Sequence, residues 1–271
     1  MEYRCYNRLS TEYNQLYKEN IIAFQSAMNM MCYDQERYID FYPSSGVEKN
    51  EHVEFLVYGQ AVNGWGTCFK INEVITQEKV YQSMEYSNHM PQGVADCPLD
   101  WVNVMWSNES YSKIAGNEEL EKLYSGNYRA YSSFFWNVVY KSVIQYYSYQ
   151  PDSSDWARKM IWSNLYKITP DKANPSDAHQ LAQMPRSAML VKKELEEIQP
   201  RFCLVLTGES WWKPFRKHLG SEMKHIFETS DELVSLEQFG TTSIIVTRRP
   251  RSGDSGKFAQ RINECLGRRN V

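Results

Sequence analysis

The residue types that could do chemistry gather in four short stretches. The loop GQAVNGWG, residues 59–66, places Gly59, Gln60, Asn63, Gly64 and Trp65 directly after an apolar run. Asn164 closes the segment MIWSN. Gly208 and Glu209 follow FCLVLT, and Thr247, Arg248, Arg249 and Pro250 follow SIIV. Ligands of open α/β sheets bind beyond the carboxyl ends of the strands. The four groups are therefore expected to converge on one edge. Together they suit a planar, neutral, amide-bearing ligand. An asparagine amide offers donors and an acceptor and can pair with a pyrimidine edge. Backbone N–H groups of a glycine loop can cradle an oxyanion. Trp65, Phe135 or Trp136 could stack on a base face, a contact worth about 1–3 kcal/mol per base.

Each residue also has a structural alternative. Gly59 can serve a turn, and Asn164 can satisfy loop backbone. Trp65 and Trp136 can be core, and Arg248 and Arg249 can be solvated cations. Their joint placement at strand ends carries more than any one of them.

The elements that must position these groups are read from hydrophobic period. Tyr17, Ile21, Phe24, Met28 and Met31 step at helical spacing and predict a helix over 12–31. Residues 53–58 (VEFLVY), 159–164 (KMIWSN), 202–207 (FCLVLT) and 243–247 (SIIVT) read as short strands. Helices are expected over 128–149, over 185–199 with Ala188, Val191, Leu195 and Ile198 on one face, from Trp211, and over 256–266. Residues 67–126 show no clear period and are expected to hold helix fragments and long loops. Four apolar strands separated by helices imply a parallel sheet covered on both faces, an α/β class. The expectation is one domain, with a helical extension over about 1–50 and an irregular insertion over about 67–126.

Composition narrows the function. The 271 residues are 42% hydrophobic and 14% aromatic, so they can bury a core, and the formal net charge is -3. That balance argues against a large electrostatic footprint on duplex nucleic acid. A local exception runs from Arg248 to Arg269, where seven basic residues face two acidic ones; Arg248, Arg251 and Lys257 are the candidates for phosphate contact. The six cysteines form no C-x-x-C pair or zinc spacing, and free thiols in a reducing compartment are expected. No cofactor is expected, since the first loop lacks G-x-G-x-x-G, and neither is a metal. The start of the chain lacks an apolar leader, and no run approaches membrane-span length. A cytoplasmic protein is the expectation.

The motifs also carry a family likeness. VYGQAVNGWG resembles the first motif of the uracil-DNA glycosylase superfamily, with a closer likeness to a bacterial branch carrying G-Q-E-T-N-G-W-G-like loops. MIWSNLYKI looks like the strand in which that superfamily places a base-reading asparagine, here Asn164. PRFCLVLTG resembles the step that follows, and SIIVTRRP the last motif. The likeness covers roughly residues 50–66 and 128–265. It implies a three-layer α/β/α domain around a four-stranded parallel sheet, with a damaged base flipped into a pocket at the strand ends. Gly59, Gln60, Gly64, Trp65, Phe135, Asn164, Thr247 and Pro250 would then line the base site.

Two departures bear on catalysis. Active members often carry aspartate or asparagine where Ala61 stands, and alanine neither accepts a proton nor stabilises a cationic sugar. Arg249 occupies the usual histidine position, and it stays cationic near neutral pH. Asn63, Glu209 and Arg249 are the remaining candidates for a catalytic role. The likeness thus implies a domain binding DNA or a free nucleobase with doubtful base excision. The alternatives are an active glycosylase for a modified base, and an α/β protein-interaction domain with a vestigial pocket.

Overall fold

The computed structural model describes residues 6–33, 37–61, 65–89, 97–104, 133–149, 155–171, 173–228, 234–248 and 253–267. Its centre is four parallel strands: β3 (Phe55–Gly59), β5 (Met160–Asn164), β7 (Phe202–Val205) and β10 (Thr242–Thr247). Every residue of these strands is buried. Burial on both faces is why they read as continuous apolar runs rather than alternating ones. These are the four strands the sequence predicts. The sheet is larger than the four expected, however, with order β2-β5-β3-β7-β10-β9-β8 over seven strands. β2 (Ser44–Ser45) joins antiparallel to β5, and β9 (Val234–Phe239) and β8 (Met223–Glu228) extend the other side antiparallel. β8 is mostly exposed and mixes Met223, Ile226 and Phe227 with charged and polar residues, so it offers no continuous apolar run.

Helices cover both faces. One face packs against α1 (Thr11–Met30), α5 (Asp177–Ile198) and α6 (Glu209–Leu219). The other packs against α3 (Asp100–Val104), α4 (Phe134–Tyr147) and α7 (Ser255–Gly267). α1 starts at Ser10, whose hydroxyl accepts the Tyr13 N–H at 3.1 Å, one of the donors a helix start leaves open. It buries Tyr17, Ile21, Phe24 and Met28 of the predicted stripe and Tyr13 besides, while Met31 is exposed past the helix end. α5 begins earlier than expected, with Pro185 inside it instead of at its start.

Two further expectations are corrected. The N-terminal part is not wholly helical: after α1 come β1 (Arg37–Asp40) and β2. In the stretch 67–126 the helices α2 (Gln77–Asn88) and α3 agree with the expected helix fragments, whereas the strand β4 (Thr67–Lys70) was not expected; residues 90–96 and 105–126 lie outside the described part. β1, β4 and β6 (Ile168–Pro170) form a second, antiparallel sheet of order β4-β1-β6. Gly66 enters it at φ 141°, where a Cβ would lie 2.0 Å from the Asp40 carbonyl oxygen, so only glycine allows that approach. The Asp40 carboxylate is buried there and accepts Lys79 Nζ at 2.6 Å, Thr67 Oγ1 at 3.0 Å and the Tyr17 hydroxyl at 3.0 Å. Among the described residues no helix is long and apolar enough to cross a membrane.

Candidate functional site

The carboxyl ends of β3, β5, β7 and β10 meet at one rim. Gly59 pairs with Asn164 across β3 and β5. Tyr58 pairs with Val205, and Val205 with Val246. One residue further along, Asn164, Gly59, Leu206 and Thr247 therefore form a row across the sheet. Side chains alternate along strands, and this row shares its face with Trp162, Val57, Leu204 and Ile245, the side covered by α4 and α7. Strand order reverses between β3 and β7, the place where open sheets leave a crevice.

Hydrogen bonds to backbone carbonyls close the rim. The N–H of Leu165 donates to the Gly59 carbonyl at 3.0 Å, and that of Tyr166 to the Gln60 carbonyl at 3.2 Å. Gln60 Nε2 donates to the Thr207 carbonyl at 3.0 Å. The N–H of Gly208, at φ 89°, donates to the Thr247 carbonyl at 3.1 Å. Gly208 then begins α6 as its N-cap. All four sequence groups thus contribute to the same edge.

Among the described residues, three polar atoms of these strands on this face lack a partner. Asn164 is 1% exposed, and its Nδ2 makes no hydrogen bond; the same holds for Trp162 Nε1 and Thr247 Oγ1. The side chains of two of these residues, Asn164 and Trp162, meet over Gly59, Asn164 through its Oδ1. A Cβ built there would lie 2.5 Å from Asn164 Oδ1 and 3.7 Å from Trp162 Nε1. The missing side chain of Gly59 makes room for the amide. A buried donor without a partner costs about 1–3 kcal/mol, and native proteins keep few of them. Thr247 lies three strands from Asn164 in the sheet order, or about 14 Å at the usual strand spacing.

The expected aromatic platforms divide. Trp136 is 1% exposed and is core, packed edge-on against Trp162 at 5.3 Å between centroids. Trp65 stacks on Trp101 at 4.4 Å and 20°, so Trp101 covers one of its faces. Trp101 in turn lies 5.8 Å from Trp162. Phe135 stands in the first turn of α4, half-buried against Trp136. Trp162, which the sequence reading left out, carries an indole N–H at the site. Its signal was the two-residue period that puts it on the same strand face as Asn164.

The charged candidates also divide. Ala61 is half-buried and brings no titratable group. Glu209 does not stand ready as a substitute base: Arg216 holds its carboxylate with both terminal guanidinium nitrogens and also bonds Glu237. Arg248 directly follows Thr247 and is exposed, as is Lys257 near the start of α7. Asn63, Gly64, Arg249, Pro250 and Arg251 lie outside the described residues. Among the described residues no cluster of histidine, cysteine, aspartate or glutamate could hold a metal ion. No protein-family model matches the chain, and no curated protein does.

Proposed function

We propose that the rim binds a planar heterocycle, a nucleobase free or within DNA, and that the chain is a nucleobase-binding domain of the uracil-DNA glycosylase kind without efficient base excision. The observation that carries this is the Asn164 side chain, whose Oδ1 lies over Gly59 and whose Nδ2 lacks a partner, beside the unpartnered Trp162 indole N–H. A heterocycle edge would satisfy both groups at once. The fold supports the reading, since four parallel strands lie between two helical layers and the four motifs reach one edge in the expected order. Exposed Arg248, next to Thr247, would face the phosphate side of a nucleotide. The absence of a free carboxylate among the described rim residues argues against excision: Ala61 has none and Arg216 holds that of Glu209.

The test is a titration of free nucleobases and short single- and double-stranded oligonucleotides, followed by tryptophan fluorescence, on the wild type and Asn164→Ala. Saturable binding that the alanine variant loses supports the reading. Equal binding by both proteins refutes it. Alkali-labile sites formed in lesion-bearing oligonucleotides would replace it with an active glycosylase. Capture of one stoichiometric protein partner, with no response to any base, would replace it with an interaction domain.

A further inference from the structure

The opposite face of the same strand ends carries a second polar cluster, and every group in it is satisfied. Lys167 and Glu194 are both fully buried and form an ion pair with Nζ 2.7 Å from Oε1. The Lys167 ammonium donates its other two protons to Ser163 Oγ and to the Asn164 carbonyl, each at 2.6 Å. An ammonium has three donors, so all three are engaged. Glu194 Oε1 also accepts the Tyr13 hydroxyl at 2.6 Å. Its Oε2 accepts the Tyr58 hydroxyl at 2.8 Å and Ser163 Oγ at 2.9 Å. Burial holds both tyrosines in the protonated, donating form.

The sequence positions of these partners matter. Tyr58 immediately precedes Gly59, and Ser163 immediately precedes Asn164. One carboxylate oxygen therefore holds both strands one residue below the rim, and the ammonium holds the Asn164 carbonyl itself. A fully connected buried network fixes geometry in a way a partly satisfied one does not. We propose that Lys167 and Glu194 are positioning residues: through Tyr58, Ser163 and the Asn164 carbonyl, they hold the Asn164 amide with its Oδ1 over Gly59 and its Nδ2 free for a ligand. This rests on the reading of Asn164 as the ligand-facing group, and it concerns the free protein.

The test compares three single-atom or near-single-atom variants. Tyr58→Phe and Ser163→Ala each remove a donor that ties Glu194 to a rim strand. Tyr13→Phe removes a donor to the same carboxylate from α1, away from the rim. Hydrogen exchange is followed at Leu165 and Tyr166, whose N–H groups bond Gly59 and Gln60, and at Ile244 and Val246 as core references. The Asn164 side-chain amide signals, assigned by their loss in Asn164→Ala, give a second readout. Positioning predicts exchange at Leu165 and Tyr166 faster by about tenfold relative to the core references in Tyr58→Phe and Ser163→Ala. The Asn164 amide signals should shift in the same two variants, and Tyr13→Phe should leave both readouts near wild type. Equal effects in all three variants, or none at the rim, overturn the proposal. Neither readout uses a ligand, so a failed nucleobase titration would refute the function and leave this result standing.

Discussion

Gly59 and Asn164 face each other across two parallel strands, and the Asn164 amide occupies the space that a Gly59 side chain would need. Gly59→Ala would bring a Cβ to 2.5 Å from Oδ1, so the amide must rotate away. The expected outcome is destabilisation of about 1–3 kcal/mol, the usual penalty for overpacking, with nucleobase affinity reduced at least about tenfold. Urea denaturation and fluorescence titration measure the two effects. An alanine variant that binds as wild type would show that the amide is not confined by this glycine.

Asn164→Leu keeps the number of side-chain heavy atoms and removes the unpartnered donor. Stability is expected to stay level or rise by up to about 2 kcal/mol, because a buried amide without a partner is itself destabilising. Binding should be lost. A stability loss above about 2 kcal/mol would mean that Asn164 is held for the fold and not for a ligand.

The buried tyrosines set the alkaline limit. Burial pushes the hydroxyls of Tyr13, Tyr17 and Tyr58 well above the ordinary tyrosine value. The unfolded chain sheds these protons near about pH 10, while the folded chain keeps them. The unfolded state then binds fewer protons, so stability is full below that pH and falls as pH rises through it. Lys167 acts in the opposite sense, since burial lowers its value, but it is one group against three. Each tyrosine contributes a slope of up to about 1.4 kcal/mol per pH unit. Urea midpoints measured in steps from neutral to strongly alkaline pH should show the fall, and Tyr13→Phe should make it shallower. An unchanged slope in that variant would count against the assignment.

His179 sets an acid-side dependence. Its Nδ1 accepts the Ser176 N–H at 3.2 Å at the start of α5, and burial lowers its pKa. The unfolded chain takes up this proton first, so stability falls as pH drops through the ordinary histidine value of about 6.5. His179→Gln preserves a side-chain acceptor at the third helical position, as in a capping box, and removes the titration. Thermal melts between neutral and mildly acid pH should show a smaller loss in the glutamine variant. Parallel pH profiles in the two proteins would contradict this role.

Much of the frame was legible in the sequence by itself. Phe55 to Tyr58, Ile161, Cys203 to Val205 and Ile244 to Val246 are apolar on both strand faces, because helices cover both sides of the sheet, and a run of that kind shows in one dimension. The stripe Tyr17, Ile21, Phe24 and Met28 announced α1 for the same reason. Strand ends follow from strands, so Gly59, Gln60, Asn164, Gly208 and Thr247 could be assigned to one rim before any coordinates. What tertiary structure alone decided was the state of each group there. Trp136 became core and Glu209 was claimed by Arg216, while Trp162 joined Asn164 over a glycine. Beneath them Lys167 met Glu194, 27 positions away in the chain. Partnership of this kind depends on which helices and strands pack together across the sheet. Local period carries no record of it, since a polar atom looks the same in the chain whether or not a distant residue satisfies it.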